Sequence, residues 1–159
     1  MKLPPPEKIY EAWSALVSGR LTSQSDPESS TGESAVISSS GQKTYFVHWH
    51  DNIYYSTDPA TWWQGYPGYP VLAVLMYRRL LPYDPALAQL FDQVPWETIN
   101  RQAGRDYALA LTKVMNGLAV PETEKNKIRI FAEETFNQLA GLNIELRRFV
   151  KAKNANGKS

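Results

Sequence analysis

The sequence predicts an α+β domain: an N-terminal helix, a three-stranded antiparallel β-meander, then a helical C-terminal two-thirds packed on the sheet. Three observations predict it. Lys43 to His50 alternates apolar and polar residues as a strand does, then turns back at Asp51-Asn52. Val71 to Met76, opened by Pro70, is apolar nearly all round, the pattern of a central helix. From Pro85 onward, apolar residues recur at helical spacing between proline and glycine breaks. A chain of 159 residues with 43% hydrophobic and 21% charged content is sized for one core. The expected organisation is one globular domain over 1–152 with a flexible loop at 22–34, then a disordered basic tail at 153–159.

In order along the chain, the first helix starts at Pro4-Pro5-Pro6, since proline suits a first helical turn. Ile9, Trp13, Leu16 and Val17 share one face, Lys8 and Glu11 are left to water, and Gly19 is the stop. Thr22 to Ser34 (TSQSDPESSTGES) is serine-rich and acidic, with little to offset the entropy of ordering, so it reads as a surface loop. Ala35-Val36-Ile37 is the first strand, Lys43 to His50 the second, and Ile53 to Ser56 the third. A two-residue turn at Asp51-Asn52 sets His50 opposite Ile53, Trp49 opposite Tyr54 and His48 opposite Tyr55. One sheet face then carries Tyr45, Val47, Trp49 and Tyr54, and the other Phe46, His48, His50, Ile53 and Tyr55.

Asp58-Pro59 is a helix-start pair, and a short turn through Trp62-Trp63 ends at Gly65. Gln64 to Pro70 (QGYPGYP) is a connector that must fix backbone angles before the buried helix. Asp84-Pro85 opens another short helix, Val94-Pro95 precedes one at Trp96, and Arg101 to Gly117 holds the next. The last helix starts at Pro121. Its stripe of Ile128, Phe131, Ala132, Thr135, Phe136, Leu139, Leu142, Leu146 and Phe149 predicts a helix running through Gly141 to Phe149.

Composition narrows the chemistry. Without cysteine there are no disulfides, thiolate nucleophiles or cysteine metal sites, and with no apolar leader behind Met1-Lys2-Leu3 the expected compartment is cytoplasmic. The run from Val71 to Leu81 is too short to span a membrane and is broken by Arg78 and Arg79, so no membrane partner is expected. No G-x-S-x-G elbow, P-loop or G-x-G-x-x-G is present, and no cofactor is expected. Net charge is +1; five basic residues follow Glu145 with no acid among them, and the body before them is mildly acidic. Such a tail complements a helix C-terminus or touches phosphate.

His48 and His50, at i and i+2 on a strand, share a face beside Asp51 and form a fragment of a metal site. A third or fourth ligand has to come from elsewhere; Asp58 could serve, but nothing in the sequence specifies it. The strand–hairpin–helix order is similar to the layout of SWIM-type zinc modules over about a quarter of the chain. That resemblance implies cysteine and histidine ligands, but Tyr55 and Ser56 stand where thiols are expected, so no ligand carries over.

Eleven of the nineteen aromatic residues lie between Tyr45 and Tyr83, and as a whole the cluster reads first as core that seals the three-stranded sheet against the helices. Tyrosine and tryptophan join an apolar body to a polar tip and suit recognition surfaces. Trp62, Trp63, Tyr66 and Tyr69 lie in connector rather than regular structure and are the expected binding residues, with Arg78 and Arg79 as cations. The expected function is a small binding module for nucleic acid or another protein. Two alternatives stand beside it: homo-oligomerisation through the helix from Pro121, and an enzyme or metal protein centred on His48 and His50.

Overall fold

The computed structural model describes residues 1–150; the expected basic tail at 153–159 lies outside the described residues. The architecture is α+β, and its sheet is larger than expected. Helix α1 (Lys8–Val17) leads into β1 (Leu21–Ser23), β2 (Thr31–Ile37), β3 (Thr44–His50) and β4 (Ile53–Ser56). One π-helical turn (Ala60–Gln64) precedes α2 (Tyr69–Tyr77) and α3 (Pro85–Ala88), which a 3-10 turn (Gln89–Phe91) extends. Then come α4 (Trp96–Gln102), α5 (Tyr107–Asn116), α6 (Glu122–Gly141) and β5 (Glu145–Arg148). The sheet has five strands in the order β1-β2-β3-β4-β5; the first three pairings are antiparallel and β4–β5 is parallel.

The β3–β4 hairpin has the expected register, with His50 opposite Ile53 and Trp49 opposite Tyr54. Asp51 takes the left-handed conformation that this two-residue turn requires, with φ 52°. Val36, Val47, Trp49 and Tyr54 are fully buried on the face that meets the helices, whereas Phe46, His48 and Tyr55 are half-buried on the other. The C-terminal segment reaches that second face: Phe149 lies 6.0 Å from His48 and the Arg147 guanidinium 6.0 Å from the Tyr55 ring.

Helix α2 is enclosed on every side, Pro70 to Met76 all being buried. α1 packs along it, and β3 and β4 form its bed. Each large aliphatic side chain so buried contributes about 1.5–3 kcal/mol relative to exposure. A second knot, aromatic, fixes α1: the rings of Tyr10 and Trp13 are 4.8 Å apart, and both meet Phe91, while Phe131 of α6 lies 5.9 Å from Trp13.

Residues 22–34 are not a loop throughout. They hold most of β1 and the start of β2, and the turn between is bound by donors from far along the chain. Trp49 Nε1 donates to Ser29 O (2.9 Å), Tyr77 OH to Ser25 O (2.8 Å), and Arg78 Nε and Nη2 to Pro27 O and Ser29 O (3.0 and 2.9 Å). Arg78 Nη1 also donates to the Tyr54 hydroxyl. β2 crosses the Trp49 indole so closely that a Cβ on Gly32 would stand 2.2 Å from the ring, which is why a glycine occupies that position.

The last helix also departs from expectation. It ends at Gly141, and Leu142 is extended. Leu146, expected on the helical stripe, belongs instead to β5, and Phe149 lies just beyond that strand. Asn52 clamps the approach, its Nδ2 donating to Asn143 O (3.2 Å) and its carbonyl accepting from Glu145 N (2.9 Å). No helix among the described residues is long and apolar enough to cross a membrane.

Arg78→Met leaves two turn carbonyls and the Tyr54 hydroxyl without their charged donor. The expected cost is about 2–3 kcal/mol in urea unfolding, with faster proteolysis within 24–30. An alkaline titration tests the aromatic knot. Burial pushes the Tyr10 phenol up to about 12 from an ordinary value of 10.0, despite the opposing field of Arg129. The unfolded chain therefore releases that proton first. Its contribution to stability is complete below pH 10 and declines as pH rises from 10 towards 12, so unfolding by circular dichroism should accompany the appearance of phenolate absorbance.

Candidate functional site

The site grows from one buried carboxylate. Asp58 is 2% exposed and lies just after β4. It accepts hydrogen bonds from the Ser56 hydroxyl, from the Thr61 hydroxyl (2.8 Å) and from Thr61 N (3.1 Å), so three donors hold one anion. The Thr61 bond caps the start of the π-helical turn, which swings Trp62 and Trp63 outward. Gly65, with φ 73°, ends that turn in the left-handed conformation. The chain then returns over Asp58: a Cβ on Gly68 would stand 2.2 Å from Asp58 Oδ2, so only glycine fits there. In this way the proline-glycine connector is folded down onto the carboxylate and delivers Tyr69 and Pro70 to the start of α2.

Facing the connector is a wall made by α4 and the start of α5. α4 has no side-chain cap of its own and is placed by distant hydroxyls. Ser39, from the β2–β3 turn, accepts from Glu97 N (3.0 Å). Ser14 of α1, fully buried, accepts from Trp96 Nε1 (2.8 Å) and donates to Phe91 O (2.7 Å). Between wall and connector lies a cleft of about 360 Å³, within the size range of ligand sites.

A little-exposed ion pair lines the cleft. Lys8 Nζ lies 2.9 Å from Glu11 Oε2, with side chains only 11% and 5% exposed. The Tyr107 ring stacks on the same ammonium at 4.0 Å. Lys8 and Glu11 were expected to face water; the α4–α5 wall covers them. Arg20 stands 5.9 Å over the Tyr69 ring and donates to Ile37 O (2.8 Å), and Tyr45 meets Tyr69 edge to face at 6.4 Å. Burial raises the pKa of the phenols of Tyr45, Tyr66 and Tyr69, so near neutral pH they present hydroxyl groups and ring faces rather than charge.

Three acceptors of cleft-lining residues, Glu11 Oε2, Glu97 Oε2 and Asn100 Oδ1, are shielded from water and have no hydrogen bond among the described residues, Glu11 Oε2 meeting only its ion-pair partner Lys8. An acceptor left in that state costs about 1–3 kcal/mol. At the mouth, Arg101 and Arg105 are exposed, and their side chains have no ion pair or hydrogen bond among the described residues. Gly104 and Arg105 both take left-handed backbone angles (φ 64° each), and Arg105 N donates to Asn100 O at 2.8 Å, which fixes the second arginine at the rim.

Of the residues singled out from sequence, Trp63, Tyr66 and Tyr69 line this cleft. Trp63 is 77% exposed, the most open large apolar side chain among the described residues. Trp62 turns to the other side, where its ring meets the Arg148 guanidinium at 5.4 Å and its carbonyl accepts from Arg148 Nε (3.0 Å). Arg78 and Arg79 lie at the opposite end of α2, about 13 Å away by helical rise. Arg78 is engaged with the 24–30 turn, and Arg79 is exposed with φ 61°. His48 and His50 are outside the cleft. His50 is exposed beside Asp51 (3.5 Å) and His48 packs on Tyr55 (5.7 Å). No group of three His, Cys, Asp or Glu side chains that could hold a metal occurs among the described residues.

Lys8, Glu11, Arg20, Tyr45, Glu97, Asn100 and Tyr107 were not foreseen as cleft residues, and Asp58 was singled out as a helix cap and a metal candidate rather than as the base of a cleft. The Asp-Pro pair signalled a cap, and the two glycines and two prolines of the connector signalled a fixed turn. Nothing local marks Glu97 or Asn100, which sit on a helix face that reads as solvated.

Fold and site together define a small α+β domain with a charge-lined aromatic cleft beside its central helix. The chain belongs to the family described as uncharacterised conserved protein UCP014422, whose model matches residues 1–145. No curated protein and no solved structure matches it.

Gly68→Ala should destabilise the protein by about 1–3 kcal/mol, because the new methyl displaces the Asp58 carboxylate. In an Asp58→Ala background the same substitution should cost markedly less. Equal costs in the two backgrounds, measured by urea unfolding, would show that the glycine serves some other contact.

Proposed function

We propose that the protein is a non-catalytic binding module that engages another protein at the connector-lined cleft. The observation that carries this reading is the exposed Trp63 indole on a cleft whose two exposed arginines, Arg101 and Arg105, have no ion-pair partner among the described residues. Tryptophan and arginine around a partly desolvated pocket are the side chains that dominate binding energy at protein interfaces. Tyr66 and Tyr69 supply the aromatic walls, and Arg101 and Arg105 the charged rim.

Nucleic acid, the other partner suggested by sequence, suits the site less well. Three carboxylates, Glu11, Asp58 and Glu97, line the cleft with four cations, Lys8, Arg20, Arg101 and Arg105, so it holds little net positive charge for a phosphodiester backbone. Homo-oligomerisation through the last helix loses the feature that suggested it. Ile128, Ala132, Thr135 and Leu139 are buried, and Phe131 and Phe136 pack against the chain's own core.

Parallel pull-downs with wild type and Trp63→Ala, quantified by mass spectrometry, test the reading. Specific partners should be lost from the variant, with affinity reduced by about 2 kcal/mol or more and the melting temperature unchanged. Identical capture by both proteins would overturn it. A gel shift with single-stranded oligonucleotides should show no retention at low salt. Retention that falls steeply with added salt would move the partner to nucleic acid.

A further inference from the structure

The sheet has two edges, β1 and β5, and only β5 carries charge. The parallel pairing fixes which of its backbone groups are in use. Glu145 N donates to Asn52 O and Phe149 N to Ser56 O (2.9 Å each), so the odd-numbered residues of this strand face β4. Alternate residues of a strand turn their N–H and C=O to opposite sides. Leu146 and Arg148 therefore turn theirs to the outer edge, where no backbone hydrogen bond meets them among the described residues. Such a row is a template for another strand.

The edge is accessible. Glu145, Arg147 and Arg148 are exposed. Arg148 shares the helix side of the sheet with its register partner Ser56, and its guanidinium meets Trp62 on that side. The turn that carries Trp62 thus lies over the sheet rather than across its edge, and an open groove separates it from β5.

A second copy of this chain fits the edge in one register. The outward groups of one copy must meet the outward groups of the other, so even-numbered residues pair with even-numbered ones. A two-fold antiparallel pairing then places one residue opposite its own counterpart at the axis. The strand offers four such positions. Glu145, Arg147 or Arg148 at the axis would face its own charge, and like charges directly opposite are destabilising. Leu146 puts an apolar pair there instead. It also sets Glu145 opposite Arg147 of the other copy, twice, as non-hydrogen-bonded pairs, whose side chains approach most closely. Within one chain Arg147 Nη2 already meets Glu145 Oε2 at 2.9 Å, so the four charges close into an alternating ring. Leu146 packs against the core of its own copy, and its counterpart extends that apolar margin across the axis.

We infer that the protein forms a two-fold dimer by antiparallel pairing of β5 with β5, centred on Leu146, so that two sheets become one. Leu146 exchanges backbone hydrogen bonds with its counterpart, and Ile144 does so with Arg148 on either side of the axis. The inference uses neither the cleft nor its ligand, and stands apart from the binding reading above.

Sedimentation velocity on the full chain, from micromolar to near-millimolar concentration, tests it. The mass should rise with concentration from 18.0 kDa towards twice that value. Glu145→Lys and Arg147→Glu each turn two attractive cross-strand pairs into repulsive ones, and either should weaken the dimer by about tenfold or more. An equimolar mixture of the two variants should restore dimers, because each altered charge then faces its opposite. Both positions are exposed, and unchanged melting temperatures check that the variants are folded.

A wild type that stays at 18.0 kDa throughout overturns the inference and leaves the edge to a strand of a different protein. A dimer that survives both single variants, a mixture that stays monomeric, or a mass that climbs past two copies overturns β5 as the two-fold interface.

Discussion

The constraint on which the structure depends is a helix with no polar side. α2 buries every residue from Pro70 to Met76, so it cannot lie on a surface and must be covered in all directions. α1 and the sheet do most of that covering. The two ends of the helix then have to be managed without polar side chains inside it. At its C-terminal end Arg78 turns away from the helix and gathers the 24–30 turn. At its N-terminal end the chain enters through Gly68, pressed against a buried carboxylate, and here the cover is incomplete. The cleft is the gap that remains between that entry and the α4–α5 wall.

The cleft holds opposite charges close together in a partly dry place. A buried ion pair such as Lys8–Glu11 adds little net stability, since desolvation offsets most of its attraction. Its effect is directional. It sets a fixed dipole in the cleft lining and holds Tyr107 in position through the ring face. The Asp58 cluster is similar in kind: three donors from a single turn of chain fix one carboxylate, and the backbone above it is shaped to that carboxylate. Both are rigid devices close to aromatic side chains, one of which is open to solvent.

How much of this is legible in the sequence depends on how far away each partner lies. The β3–β4 hairpin and its register follow from two adjacent turn residues and strict alternation. The limits of α2 follow from proline and the apolar run, and Asp84 caps α3 as its position before proline suggests. Residues 22–34 fail because their composition is that of a loop, while the donors that order them are Trp49, Tyr77 and Arg78, which no local window contains. The end of α6 fails for a different reason. Leu142, Leu146 and Phe149 continue a helical stripe, but Leu142, Ile144 and Leu146 also alternate by two, and all three pack against the core. Gly141 marks the change between the two periods. For the candidate site, the connector aromatics were visible as a composition anomaly. The wall was not, because Glu97, Asn100 and Arg101 become a cleft surface only when Ser14 and Ser39 dock α4 against the rest.

The parallel pairing of β5 with β4 bears on the order of assembly. Ile53 pairs with Glu145, so the strand beside the connector waits for nearly the whole of the chain that follows it. Antiparallel β1 to β4 and α2 can close early over short separations, whereas this last strand must pay the loop-closure entropy of all the helices between. Until it arrives, β4 is an open sheet edge with free N–H and C=O groups, and the Arg148 contact that holds Trp62 does not yet exist. The final strand is therefore a long-range closure: the ground beneath one connector tryptophan is complete only when β5 has paired with β4.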